Sequence, residues 1–322
     1  MEGPLTLQDN AYDLMRLIPE GGRIFEVISR YDDLLTLQSR EGYEPGDTLA
    51  LIVPFLVLHG IKEADIVRLA HQATLTNGAK DLVQHLLKQD WRVFCITTTY
   101  QQYSFHIAQE LGIPLSHIAA TEFPLDQFHQ VLNQEDARSL EYMESEILEL
   151  AQSQNDQAIK RRLDEFFWNR LPQSSLGKLI ARVKPVGGRR KLDALFRFCH
   201  AHDIGIGDFV VVADSITDFQ MLKGVRDAGG LAIAFNANQY ALPYATASLA
   251  STHLSDLKPL LEVWHDGSLK DAEIFIRQKE IAGGTDDREH FNWLVDKNDI
   301  GEIITVCRRI RRLVREKAGD LG

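Results

Sequence analysis

Apolar and polar residues follow two different rhythms along this chain. Between residues 8 and 76 the spacing is helical. Ile24, Val27, Ile28, Tyr31, Leu34 and Leu35 recur three and four apart, which puts them on one face of a helix. A shorter helix is predicted over 9–18. Asp47 and Thr48 form an N-cap signal for a third helix ending near His59, and 62–72 gives a fourth. From Gly78 the rhythm changes. A helix over 78–88 is followed by a short strand over 92–97, a helix over 103–111 closed by Gly112, and a strand over 117–120. Helices alternating with short apolar strands predict an α/β fold with an open parallel sheet. Residues 126–177 interrupt the alternation with two polar helices, about 135–152 and 156–170, anchored by Phe166, Phe167 and Trp168. Alternation resumes with a helix over 190–201, a strand over 209–214, a helix over 218–225 and a strand over 231–235. Beyond residue 280 only a terminal helical appendage is predicted.

Composition narrows the function classes. A chain of 322 residues has room for two domains, and 44% hydrophobic with 25% charged residues is globular usage. The net charge of −11 argues against nucleic acid as a partner. The run from Cys307 to Arg312 holds four arginines and reads as the solvated side of a last helix. The most apolar run, 49–58, is shorter than the ~20 residues of a membrane span and contains Pro54, so no membrane insertion is expected. Cys95, Cys199 and Cys307 are too far apart for a disulfide framework or a zinc pattern, which fits a reducing cytoplasm.

Chemistry concentrates after the strand over 209–214. It ends in Asp214, and Asp218 opens the next helix. The carboxyl edge of a parallel sheet is where such folds bind ligands. Thr97 closes another predicted strand, and Lys191 starts a helix after Gly187 and Gly188. Hydroxyl and ammonium groups can hold phosphoryl oxygens, and a compact acidic turn can hold Mg²⁺. Each residue has a plainer reading. Thr97 alone is a strand-closing β-branched residue, Lys191 alone is a solvated lysine with Lys178 and Lys184 as rivals, and Asp218 alone is an N-cap. Asp214 is harder to dismiss, because an ionised group ending an apolar strand needs a partner. His106, His117 and His200 lack mutual ligand spacing and read as structural.

Three stretches in this order resemble the haloacid dehalogenase superfamily, in its phosphoserine-phosphatase-like branch with a helical cap. CITTT from Cys95 resembles the second motif of that superfamily, GGRRKLDAL from Gly187 the third, and ADSITDFQML from Ala213 the fourth. AGGLAIAFNA from Ala228 resembles the strand that follows. The resemblance implies a Rossmann-like core over 1–7 and 77–280 carrying the 126–177 insertion, a cap over 8–76 and an appendage over 281–322. It further implies a Mg²⁺-dependent phosphatase acting on a small phosphorylated metabolite through an aspartyl-phosphate. Thr97, Thr98 and Lys191 would hold the phosphoryl group, and Asp214 and Asp218, with Glu2, the metal. Thr217 stands where members often carry Asn.

The first motif departs from that pattern. MEGPLT at the amino terminus resembles the tail of an Asp-x-Glu turn, with Glu2 at the general-acid position. The attacking Asp would then lie one residue ahead of Met1. The central strand leading to it is also missing, which would leave strands without ladder partners at ~1–3 kcal/mol per unsatisfied group. Asp32, with Asp33, is a rival nucleophile, but its surroundings have helix spacing. Two alternatives share these motifs: a phosphomutase, or a catalytically inactive binding subunit. For the latter, the start of the chain is similar to archaeal members that serve as accessory subunits of a hydrogenase complex. An oligomer or complex is compatible with either.

Overall fold

The computed structural model describes residues 1–38, 40–152, 155–316 and 319. The helical rhythm of the first quarter forms α1 (Asn10–Met15), α2 (Gly21–Leu37), α3 (Thr48–Leu51), α4 (Val53–Leu58) and α5 (Glu63–His71). After α6 (Ala79–Lys88) come β1 (Cys95–Tyr100), α7 (Gln101–Leu111) and β2 (Ile118–Thr121). The insertion forms α8 (Leu125–Phe128), α9 (Gln134–Leu150), α10 (Asp156–Asp164), a π-helical turn (Glu165–Arg170) and α11 (Ser175–Ile180). The second half runs α12 (Arg189–His202), β3 (Val210–Ala213), α13 (Phe219–Asp227), β4 (Leu231–Phe235) and β5 (Ala247–Ala250). It ends with α14 (Lys258–Asp266), α15 (Leu269–Ala282), β6 (His290–Trp293) and α16 (Gly301–Arg315).

The fold is α/β, as the alternation predicts. β3, β4 and β5 are parallel neighbours in register, Val210 opposite Leu231 and Ile233 opposite Ala247. β4 and β5 are buried at every residue, as a sheet covered by helices on both faces requires. Two features differ from the sequence expectations. The segment expected to be a helical appendage contributes β6, which pairs antiparallel with β5 and so extends the sheet. HFNW at this strand is too short for its alternation to be distinctive. The insertion and the cap also pack as one helical body. Tyr31 of α2 donates to Asp164 of α10 at 2.5 Å and accepts from the Trp168 indole at 2.7 Å, while His59 meets Glu144 at 2.8 Å. Phe166 and Phe167 are buried in this body, in the anchoring role expected of them.

The sheet is split. Among the described residues β1 pairs only with β2, in parallel, and β3 begins a separate four-stranded sheet. Between β1 and β3 lies a cavity of about 650 Å³, walled by Val93 and Ile96 on one side and Phe209 and Val211 on the other. Met1, Pro4 and Leu5 also line it. Among the described residues no helix is long and apolar enough to cross a membrane.

Candidate functional site

Four chain segments meet above the ends of β1 and β3. The first is the amino-terminal turn. Gly3 donates to the Thr6 carbonyl at 2.8 Å and its own carbonyl accepts from Thr76 at 2.9 Å, so residues 1–6 are held against the end of the cap. Gly3 has φ +89°, and a Cβ there would lie 2.3 Å from Asp214 Oδ2. The absence of a side chain lets the turn lie directly on that carboxylate.

β1 supplies the second segment. Its pairing with β2 is irregular between Ile96 and Tyr100, so the three threonines, which lie within β1, sit where the ladder geometry is interrupted. Thr97 is buried; its hydroxyl donates to Thr99 Oγ1 at 3.1 Å and accepts from the Thr99 N–H at 3.2 Å. The Thr98 carbonyl accepts from Thr121. The Thr98 hydroxyl is buried with no hydrogen-bond partner.

Lys191, in the first turn of α12, is 4% exposed, whereas its rivals Lys178 and Lys184 are exposed. Its ammonium donates to Asp218 Oδ1 at 2.6 Å and to Thr217 Oγ1 at 2.9 Å. Gly187 and Gly188 make the approach possible. A Cβ on Gly187 would lie 2.0 Å from the Pro45 carbonyl, and one on Gly188 2.1 Å from Glu44 Oε2. Arg190 then grips Asp47 with both Nη atoms, fastening the loop between α2 and α3 to the start of α12.

The fourth segment is the turn after β3. Asp214 is 5% exposed. Asp218 accepts from the Ser215 N–H at 3.2 Å and the Ser215 hydroxyl at 3.1 Å while taking the ammonium of Lys191. It therefore caps the short 3₁₀ turn Ile216–Asp218 as well as pairing with Lys191. Burial works against its charge, yet Lys191 and these donors hold its carboxyl below the usual range.

Glu2, Thr97, Thr98, Lys191, Asp214 and Asp218 all line one cavity of about 140 Å³. Burial, reinforced by the nearby Asp9, pushes the Glu2 carboxyl up to about 7, although the Asn10 N–H donates to it at 2.6 Å. Asp32 sits on helix α2, as its spacing implies, and reaches the same cavity from the cap side. Burial lifts its carboxyl to about 7 despite the hydroxyl of Tyr43.

α16 also reaches the cavity. The arginine run expected to be solvated is divided by the helix: Arg308, Arg309 and Arg312 are exposed, but Arg311 is 4% exposed; Arg315, beyond the run, is buried too. Arg311 Nη1 donates to Asp214 Oδ2 at 2.5 Å, and Arg315 Nη1 donates to the same oxygen at 3.3 Å. One sequence signal for this existed. Arg311 and Arg315 lie four and eight residues after the buried Cys307, on its face of the helix.

Among solved structures the chain is similar to the structure of gene product AF1437 from Archaeoglobus fulgidus, with a TM-score of 0.86 and 30% identity over 100% of this chain and 97% of that one. The chain belongs to the family of that gene product. No family model matches the sequence, and no curated protein matches it. The name of the AF1437 structure gives no activity, so for this member of the AF1437 family chemistry has to be argued from the cavity.

The oxygens that a Mg²⁺ ion would need are already engaged. Asp214 Oδ2 faces two guanidiniums, both Asp218 oxygens are engaged, and Glu2 Oε1 accepts from the backbone. Among the described residues no group of three or more His, Cys, Asp or Glu side chains could hold a metal. Like unit charges 4 Å apart repel by about 4 kcal/mol at an effective dielectric constant near 20, and a divalent ion doubles that. In this arrangement the residues do not fit a Mg²⁺ site.

Proposed function

We propose that this chain is a phosphoric monoester hydrolase of haloacid-dehalogenase type, acting on a small phosphorylated metabolite. The observation that carries this reading is that Glu2, Thr97, Thr98, Lys191, Asp214 and Asp218, which belong to the motif-like stretches between residues 2 and 218, line one small cavity at the strand ends. The partnerless Thr98 hydroxyl and the irregular end of β1 around Thr97 hold phosphoryl oxygens, and Lys191 stabilises charge developing on them. Glu2, protonated near neutrality, donates a proton to the leaving oxygen and then takes one from water. The cap excludes bulk water and faces the leaving group with Phe25, Ser29 and Asp32. This reading requires an attacking carboxylate at the end of a strand running between β1 and β3. The cleft of about 650 Å³, with Met1 in its wall, supports that placement.

The test is release of phosphate from p-nitrophenyl phosphate and from a panel of small phosphomonoesters, with and without Mg²⁺. It compares the chain as given with a form extended by an apolar strand ending in Asp. Turnover by the extended form, lost in Lys191→Met, is the expected result. Absence of turnover and of phosphate binding in both forms sinks the proposal. A second reading, a binding subunit without turnover, is favoured by the guanidiniums at Asp214. Phosphate binding without hydrolysis in the extended form would select it.

A further inference from the structure

We infer that Arg311 and Arg315 of α16 are the resident cation of this site, taking at Asp214 the place of a divalent metal, so that the cavity accepts an oxyanion without one. A buried guanidinium needs an acceptor for its N–H groups, and those of both arginines lie at or beside the site. Arg311 Nε donates to the Gly319 carbonyl at 3.0 Å, and its Nη1 also approaches the carbonyls of Asp214 at 3.3 Å and Asn236 at 3.4 Å. Arg315 Nε donates to the Leu7 carbonyl at 3.0 Å and its Nη2 to that of Gln8 at 3.4 Å. The pair therefore ties the turn after β3 to the chain entering α1, as a metal bridging two segments would.

Charge bookkeeping points the same way. The acidic groups facing the cavity are Glu2, Asp9, Asp32, Asp214 and Asp218, and the cationic ones are Lys191, Arg311 and Arg315. Asp218 takes the ammonium of Lys191 and Asp214 takes two guanidiniums, so both carboxylates at the turn after β3 already have cationic partners and Asp214 has one more than its charge requires. A guanidinium fills this role permanently, because it does not lose its proton at physiological pH and matches a carboxylate in shape. The inference rests on the phosphoryl reading only for its choice of anion.

The experiment uses the full chain and two probes. Mn²⁺, a paramagnetic stand-in for Mg²⁺, is followed by electron paramagnetic resonance, and inorganic phosphate by calorimetry in EDTA and in MgCl₂. The expected result is no Mn²⁺ retained by the wild type at millimolar concentration, and phosphate affinities within about twofold in the two buffers. Arg311→Gln combined with Arg315→Gln should weaken phosphate in EDTA by roughly tenfold or more. It should also create Mn²⁺ binding that Asp214→Asn removes. A stoichiometric wild-type Mn²⁺ site abolished by Asp214→Asn overturns the inference, as does phosphate binding only in MgCl₂. If the double variant fails to fold, the wild-type Mn²⁺ titration with its Asp214→Asn control decides alone. Phosphate that binds in neither buffer sinks the phosphoryl reading, while the Mn²⁺ titration still decides the role of the arginines.

Discussion

Gly3 and Glu2 show how much rests on single residues at the amino-terminal turn. Gly3 combines a positive φ with contact against the Asp214 carboxylate. Gly3→Ala should therefore cost on the order of 1–3 kcal/mol from backbone strain, with additional displacement of Asp214. A chemical-denaturation midpoint unchanged from the wild type would show that the turn does not press on the site. Glu2 gives a signed pH dependence. Its carboxyl titrates near 7 in the folded chain against 4.5 ordinarily, so the folded state holds the proton more tightly. The stability from that proton is complete below the ordinary value and is lost as pH rises through about 7. Glu2→Gln mimics the neutral acid, so its melting temperature should equal that of the wild type at pH 4 and exceed it progressively up to pH 8. Asp32 has the same sign over the same window. Parallel curves for wild type and Glu2→Gln would mean that the Glu2 carboxyl holds its proton equally tightly in the folded and unfolded chain.

At the scale of elements, the site depends on how α12, α16 and the loop before α3 are fastened. Gly187 and Gly188 let the backbone of residues 44–46 touch the start of α12, which sets where Lys191 points. In Gly187→Ala the new methyl group meets a backbone carbonyl that cannot rotate away. The expected loss is about 1–3 kcal/mol, the usual cost of overpacking, together with weaker phosphate binding because Lys191 moves. A fully retained phosphate affinity would separate the clamp from the site. α16 illustrates the difference between charge pattern and place. Its arginines are adjacent in sequence, but a rotation of 100° per residue sends Arg312 to solvent and Arg311 into the cavity.

The whole molecule is shaped by the break between β1 and β3. Among the described residues each of these strands has one neighbour, and their facing edges border an apolar cleft of about 650 Å³. Apolar burial stabilises by roughly 25 cal/mol per Å². An amino-terminal extension of about five apolar residues, the usual length of a strand, should therefore raise the melting temperature. An equally long Gly/Ser extension should leave it unchanged. Equal melting temperatures for the two forms would show that the cleft does not accept a strand.

Several features were legible in the sequence because local rules decide them. The helical spacing of Ile24 to Leu35, the apolar run ending at Asp214 and the Gly-Gly before Lys191 act over a few residues, and the structure has α2, β3 and α12 there. Ordered motifs were also enough to pick out side chains that converge on one cavity. Other features depend on contacts between positions far apart, which no local pattern encodes. The packing of the 126–177 insertion onto the cap, the pairing of β6 with β5 and the approach of Arg311 and Arg315 to Asp214, about a hundred positions away, are of this kind. The chain alone picked out side chains that fold into one cavity, through types and spacings fixed by short-range sterics. Only the tertiary structure decided which cation Asp214 meets, because a buried carboxylate pairs with whatever charge folding brings within a few ångströms.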